Sequence, residues 1–125
     1  MNKGLVDNES QVLADTIVEG MQENKAEDIV VLDLREIDSA VCDFFVICSG
    51  ESSTQVDGIS KSILRHTREE IGEKPWNIEG RTSSEWVLLD YFNVVAHVFH
   101  KEQRTFFDLE DLWADAKKTT IPNLN

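Results

Sequence analysis

A chain of 125 residues is the size of one domain and is long enough to bury a core. With 24 acidic residues against 12 basic ones its net charge at pH 7 is −12, the reverse of the basic surface that phosphate binding through counterion release requires. Direct, sequence-specific nucleic-acid binding is therefore not expected; the acidity serves either solubility alone or the meeting of a basic protein partner.

The apolar share of 41% and the charged share of 29% are ordinary for a globular protein. No apolar run approaches the roughly 18 residues that span a bilayer, so no membrane association is expected. The opening "MNKGLVDNES" has neither a signal-peptide core nor the Arg-rich character of a transit peptide, and a cytoplasmic protein is the expectation. Cys42 and Cys48 lie in or beside one predicted strand, six residues and roughly 20 Å apart, too far to pair within it.

In chain order, a helix is predicted from Glu9 to Asn24, capped by Asn8 or Ser10, with Leu13, Ile17, Val18 and Met21 as its apolar stripe. "DIVVLDL", Asp28 to Leu34, and "DFFVICSG", Asp43 to Gly50, read as strands buried on both faces. The intervening "REIDSAVC" reads as a loop or short helical turn. Ser52 and Gln55 form a capping-box pattern that opens a long helix, with Val56, Ile59, Ile63, Leu64 and Ile71 on one side. Gly72 and Pro75 end it. The strand–Gly–Ser–helix junction could in principle hold an anion, but the Walker lysine and the Gly-x-Gly-x-x-Gly spacing are missing, and ordinary capping is the preferred reading.

"WNIEG", Trp76 to Gly80, suggests a short edge strand, and "RTSSE" a loop. Trp86–Tyr91 and Val94–His100 read as two strands joined at Phe92-Asn93, where Asn93 suits a positive φ and Phe92 does not. "EQRTFFDLEDLWADAKK" reads as one helix, with Phe106, Leu109, Leu112, Trp113 and Ala116 on its apolar side and Lys117 and Lys118 at its end. The order α-β-β-α-β-β-α predicts a single α/β (α+β) domain over residues 1–125, with its core at about 9–117 and a short flexible tail at 118–125.

Catalytic chemistry is hard to place on this pattern. His97 and His100 are three apart on a strand and point to opposite faces, so they do not chelate one ion. No Cys-x-x-Cys and no Gly-x-Ser-x-Gly occurs. The strand-end acids Asp33 and Asp90 are isolated, whereas metal-dependent nucleotidyl transfer wants clustered carboxylates. No metal, cofactor or catalytic residue is assigned. The remaining enzyme reading is a nucleotide-binding protein of nucleotidyltransferase type, using Asp33, Asp90 and the Ser52–Thr54 loop.

"EGRTSSEWVLLDYFNVVAHVFHKEQRTFFDLEDLW" resembles the signature of the ribosomal silencing factor family, also called Iojap-like. The matching positions are Glu79, Gly80, Trp86, Val87, Leu89, Asp90, Val94, Val95, His97, Val98, Phe99, Arg104, Phe106, Phe107, Leu109, Glu110, Leu112 and Trp113. "DFFVICSGESSTQV" is similar to a second family segment, so the likeness runs from about Ser10 to Trp113. Phe92-Asn93 stands where the family commonly has Gly-Asp, and Phe106-Phe107 where it has Phe-Tyr.

The resemblance implies a mixed sheet flanked by helices, similar to nucleotidyltransferase domains but without their catalytic carboxylates. It also implies a repressor that binds the large ribosomal subunit through ribosomal protein number fourteen. Bound there, such a protein blocks joining of the small subunit when nutrients are scarce. Trp86 and Leu89 match the family's docking strand, and Asp90, Tyr91 and His97 extend that candidate patch. Strand alternation puts Trp86 and Leu89 on opposite faces unless the strand is bulged. Val87, Leu88, Val95 and Val98 are expected in the core, and Arg104 in an ion pair with Glu110 or Asp108. A homodimer is also an expectation, because a free apolar sheet surface tends to self-associate.

Overall fold

A computed structural model describes residues 3–124, with side chains from residue 9 onward. Among them, six strands form one mixed sheet in the order β3-β4-β5-β2-β1-β6. The strands are β1 (Glu27–Asp33), β2 (Phe44–Gly50), β3 (Asn77–Glu79), β4 (Trp86–Asp90), β5 (Val94–His100) and β6 (Lys117–Ile121). The centre is the parallel pair β2–β5, and the other neighbours are antiparallel. All of β2 and all of β5 but its last residue are buried. This is why both read as unbroken Val-, Ile- and Phe-rich runs.

Helices α1 (Lys3–Glu23) and α2 (Ser53–Ile71) cover one face of the sheet. Leu13, Ile17 and Met21 of α1 meet Val56, Ile59 and Ile63 of α2 over Val46, Cys48, Val87, Leu89 and Val98. The helices approach closely at Gly20, where a Cβ would lie 2.9 Å from the Cα of Ile63. Ser62 donates to the Gly20 carbonyl there at 2.6 Å. His66 is held between Glu19 (2.9 Å) and Glu23 (3.2 Å), and the hydrogen bond it donates to Glu19 raises its pKa above the ordinary histidine value.

The predicted caps of α2 hold. Ser52 Oγ accepts from the Gln55 N–H at 3.1 Å, Gln55 Oε1 accepts from the Glu51 N–H at 2.7 Å, and Gly72 closes the helix at φ 66°. Those of α1 do not hold, because its backbone is already helical from Lys3, which puts Asn8 and Ser10 inside the helix. Ser10, fully buried, instead donates to Asp43 at 2.6 Å and accepts from Asn93 at 2.9 Å, tying α1 to the mouth of the β4–β5 turn.

The C-terminal helix expected over 102–118 is two short ones, α3 (Lys101–Phe107) and α4 (Leu109–Leu112), followed by β6. Asp108 sits at φ 47° between them, where its N–H closes α3 onto the Arg104 carbonyl and the chain cannot continue straight. Lys117 and Lys118 therefore end no helix. They open β6, which pairs with β1 through the segment expected to be a tail, and they bind Glu36 (2.7 Å) and Glu110 (3.4 Å). β6 is almost wholly exposed, and its two lysines are the kind of residue that guards a sheet edge.

The second face of the sheet is clad more thinly. Ile37 and Ala40 of the 34–43 loop, with Leu109, Trp113 and Ala116, pack over Val30, Leu32, Phe45, Ile47, Val95 and Phe99. Trp86 and Leu88 of β4 pack at the margin of this cluster and stay only partly buried.

Candidate functional site

The alternation along β4 decides which of its residues reach the surface. Val87 and Leu89 are fully buried beneath α1 and α2, while Trp86, Leu88 and Asp90 are partly exposed and the first two join the thinly clad face. The strand carries no bulge in its pairing with β5, so Trp86 and Leu89 stand on opposite faces. The candidate patch therefore divides. Leu89 (0% exposed) and Tyr91 (5%) are core residues on the helix side and present nothing to a partner. The Tyr91 hydroxyl shares a hydrogen bond with Thr67 at 3.0 Å, and burial pushes its pKa up to about 12. Val87, Val95 and Val98 are buried as expected, but Leu88 shares the face of Trp86.

Around Trp86 an aromatic series runs from core to solvent. Its ring stacks on fully buried Phe99 at 4.9 Å and meets Phe107 at 4.5 Å, and Phe107 meets Phe106 at 5.1 Å. Phe107 is 43% exposed and Phe106 78%. The backbone of Trp86 is clamped by Gly80 at φ 86°, where a Cβ would fall 1.9 Å from the Trp86 carbonyl oxygen. Only glycine fits there. The helical period puts Phe106 on the apolar side, but in α3 it faces solvent, and it is Phe107 beside it that meets Trp86. Period-two alternation, carried through from Trp86, finds Leu88.

His97 lies beneath this surface, 4% exposed. Its Nδ1 accepts the Trp86 indole N–H at 3.1 Å and its ring meets Phe45 edge-on at 4.6 Å. His100 instead caps α3, its Nδ1 accepting from the Glu102 N–H at 3.3 Å. The two histidines do not converge, and no group of three or more His, Cys, Asp or Glu among the described residues could hold a metal ion.

Burial lowers the His97 pKa to about 3 from an ordinary 6.5. An unfolded chain takes up a proton at this residue between those values and the folded chain does not. The stability His97 allows is thus complete above pH 6.5 and is lost as pH falls towards 3, by at most about 1.4 kcal/mol per pH unit. Urea unfolding from pH 7 to pH 4 should show wild type losing stability faster than His97→Phe; parallel pH profiles would contradict the buried, neutral imidazole.

Other candidate chemistry disperses. Asp33 is bound by Arg35 at 2.7 Å, which holds its carboxyl below the usual range. It pairs with Phe44 at the start of β2, whereas Ser52 follows the far end of that seven-residue strand, roughly 20 Å away. Asp90 accepts the Phe92 N–H at 2.8 Å. The three parts of a nucleotidyltransferase-type centre are not brought together. A cleft of about 720 Å³ is bordered by Lys101, Arg104 and Lys118, but these pair with Glu51 (2.9 Å) and Glu110 (3.0 and 3.4 Å). Arg104 makes the expected pair with Glu110 and also donates to Ser49 at 2.9 Å. Both cysteines are free and buried, and burial raises both thiol pKa values.

Phe92, and not Asn93, takes the positive φ of the β4–β5 turn, at 75°. Asn93 is engaged elsewhere, its carbonyl accepting from the Asp43 N–H and its side chain reaching Ser10. The displaced strain falls on Phe92, whose ring stacks on Trp76 at 4.9 Å.

These features define a class: an α/β domain with a mixed sheet, helices on one face and an open aromatic surface at one end of the other. The chain belongs to the family described as ribosomal silencing factor during starvation, whose model matches residues 7–125. It is 44% identical over 94 residues to ribosomal silencing factor RsfS of Bacillus subtilis, covering 75% of this chain and 78% of that protein. It is 40% identical over 107 residues to RsfS of Halalkalibacterium halodurans, covering 86% and 90%. A crystal structure of a Chromobacterium violaceum protein superposes with a TM-score of 0.78 at 31% identity, over 83% of this chain and 85% of that one. Membership ties the protein to translation regulation at the ribosome, and the relatives are named for silencing, not for a catalysed reaction.

Proposed function

We propose that the protein is a non-catalytic translational repressor of the cytoplasm. It binds the large ribosomal subunit through ribosomal protein number fourteen and keeps the small subunit from joining, lowering translation under nutrient limitation. The observation that carries this reading is the series from partly exposed Trp86 to exposed Phe107 and Phe106, on the sheet face that also carries Leu88 and Asp90, in a protein of net charge −12. Partly desolvated aromatic anchors carry most of the energy of protein interfaces. A net negative charge favours a basic protein in an RNA-rich setting and repels RNA phosphate.

A blocker of this kind needs bulk and affinity, and its effect follows its concentration relative to its Kd. The test is a joining assay in which the protein is titrated into purified large and small subunits. Whole-ribosome formation should fall as the protein saturates the large subunit, and undiminished joining at saturation would rule the reading out.

A further inference from the structure

His97 costs the fold something that an apolar ring would not. Because its Nδ1 accepts the Trp86 indole N–H, the imidazole proton resides on Nε2, and Nε2 is buried with no hydrogen-bond partner among the described residues. A buried, unmatched donor is destabilising, whereas a phenylalanine could occupy the space beside Phe45, Trp86 and Phe99 with no polar atom to satisfy. What the imidazole supplies, and a phenyl ring does not, is an acceptor directly under the indole.

We propose that His97 is a positioning residue for docking: it holds the Trp86 N–H inward, so that the surface meets its partner as apolar ring alone. This rests on the docking role given to Trp86 above. Stacking on Phe99 and the tilted contact with Phe107 limit the movement of the indole, and the bond to His97 fixes which edge points outward. The contact is then organised before binding and loses little conformational entropy on docking.

The geometry also defines the partner's chemistry at this point. An indole N–H turned outward would seek a carbonyl, carboxylate or phosphate oxygen, and a ribosome offers phosphate everywhere. Turned inward, it leaves an aliphatic or aromatic side chain as the matching group. His97 thus takes part in selecting protein over RNA without touching either.

Three variants test this by affinity for purified large subunits, the indole N–H resonance of ¹⁵N-labelled protein and the thermal midpoint. His97→Phe should fold with a midpoint no lower than wild type, shift the Trp86 indole resonance and bind about tenfold more weakly. His97→Asn, whose Oδ1 can stand near the place of Nδ1, should restore most of the affinity and the resonance. Wild-type binding by His97→Phe overturns the proposal, and so does equal loss in both variants, which would mark a space-filling role. Trp86→Ala keeps the failures apart. If it binds as wild type does, the docking reading itself falls; if it binds weakly while His97→Phe binds normally, only the role of His97 falls.

Discussion

Trp86→Ala is expected to weaken binding to the large ribosomal subunit by about 30-fold or more, the effect of removing roughly 2 kcal/mol or more at an aromatic anchor. The indole is the hinge of the series that leads from buried Phe99 to exposed Phe106, so truncating it leaves Phe107 only its longer contact with Phe99, 6.3 Å between ring centres. Some stability is lost as well, because Trp86 stacks on a core ring. The β2–β5 centre and the α1–α2 layer do not depend on it, and far-UV circular dichroism should be unchanged. Binding measured on folded variant and wild type side by side gives the comparison.

The second large effect is an opposition between neighbours. Leu89→Ala removes a fully buried side chain between the sheet and the two long helices, and should cost about 2–5 kcal/mol in urea unfolding. Affinity per folded molecule should hardly change. Leu88→Ala, on the face shared with Trp86, should cost less than about 1.5 kcal/mol and weaken docking. The reverse pattern would mean that the two faces of β4 have been exchanged in this account.

The central strands and α2 were legible in the sequence because burial on both faces and a Ser-x-x-Gln cap each leave a local signature. What was not legible depended on distant parts of the chain. β6 is a short Lys- and Thr-rich segment that becomes a strand only because β1 offers it an edge. The break at Asp108 is invisible to helical periodicity, since Leu109 and Trp113 still reach the apolar cluster after the chain turns. Phe92 takes the left-handed conformation because Asn93, the residue better suited to it, is bound to Ser10 and Asp43.

At the candidate site, Trp86 and His97 both entered the patch from the sequence; that they share one face of adjacent strands, two residues apart in register and joined by a hydrogen bond, emerged only from the fold. Leu89 entered the patch through resemblance, against an alternation that already put it on the other side from Trp86, and Tyr91 entered by extension of that patch. The helical period counted Phe106 to the apolar side, where it does not lie, and the contact of Phe107 with Trp86 arises only where α3 folds back beside β5 and meets the start of β4.

The central claim is that this acidic protein docks on the large subunit through the open aromatic end of its sheet. Co-sedimentation with separately purified large and small subunits tests it most directly. The account predicts saturable association with the large subunit, none with the small one, and loss of association with Trp86→Ala. Failure to pellet with the large subunit, or equal pelleting with both, would contradict it.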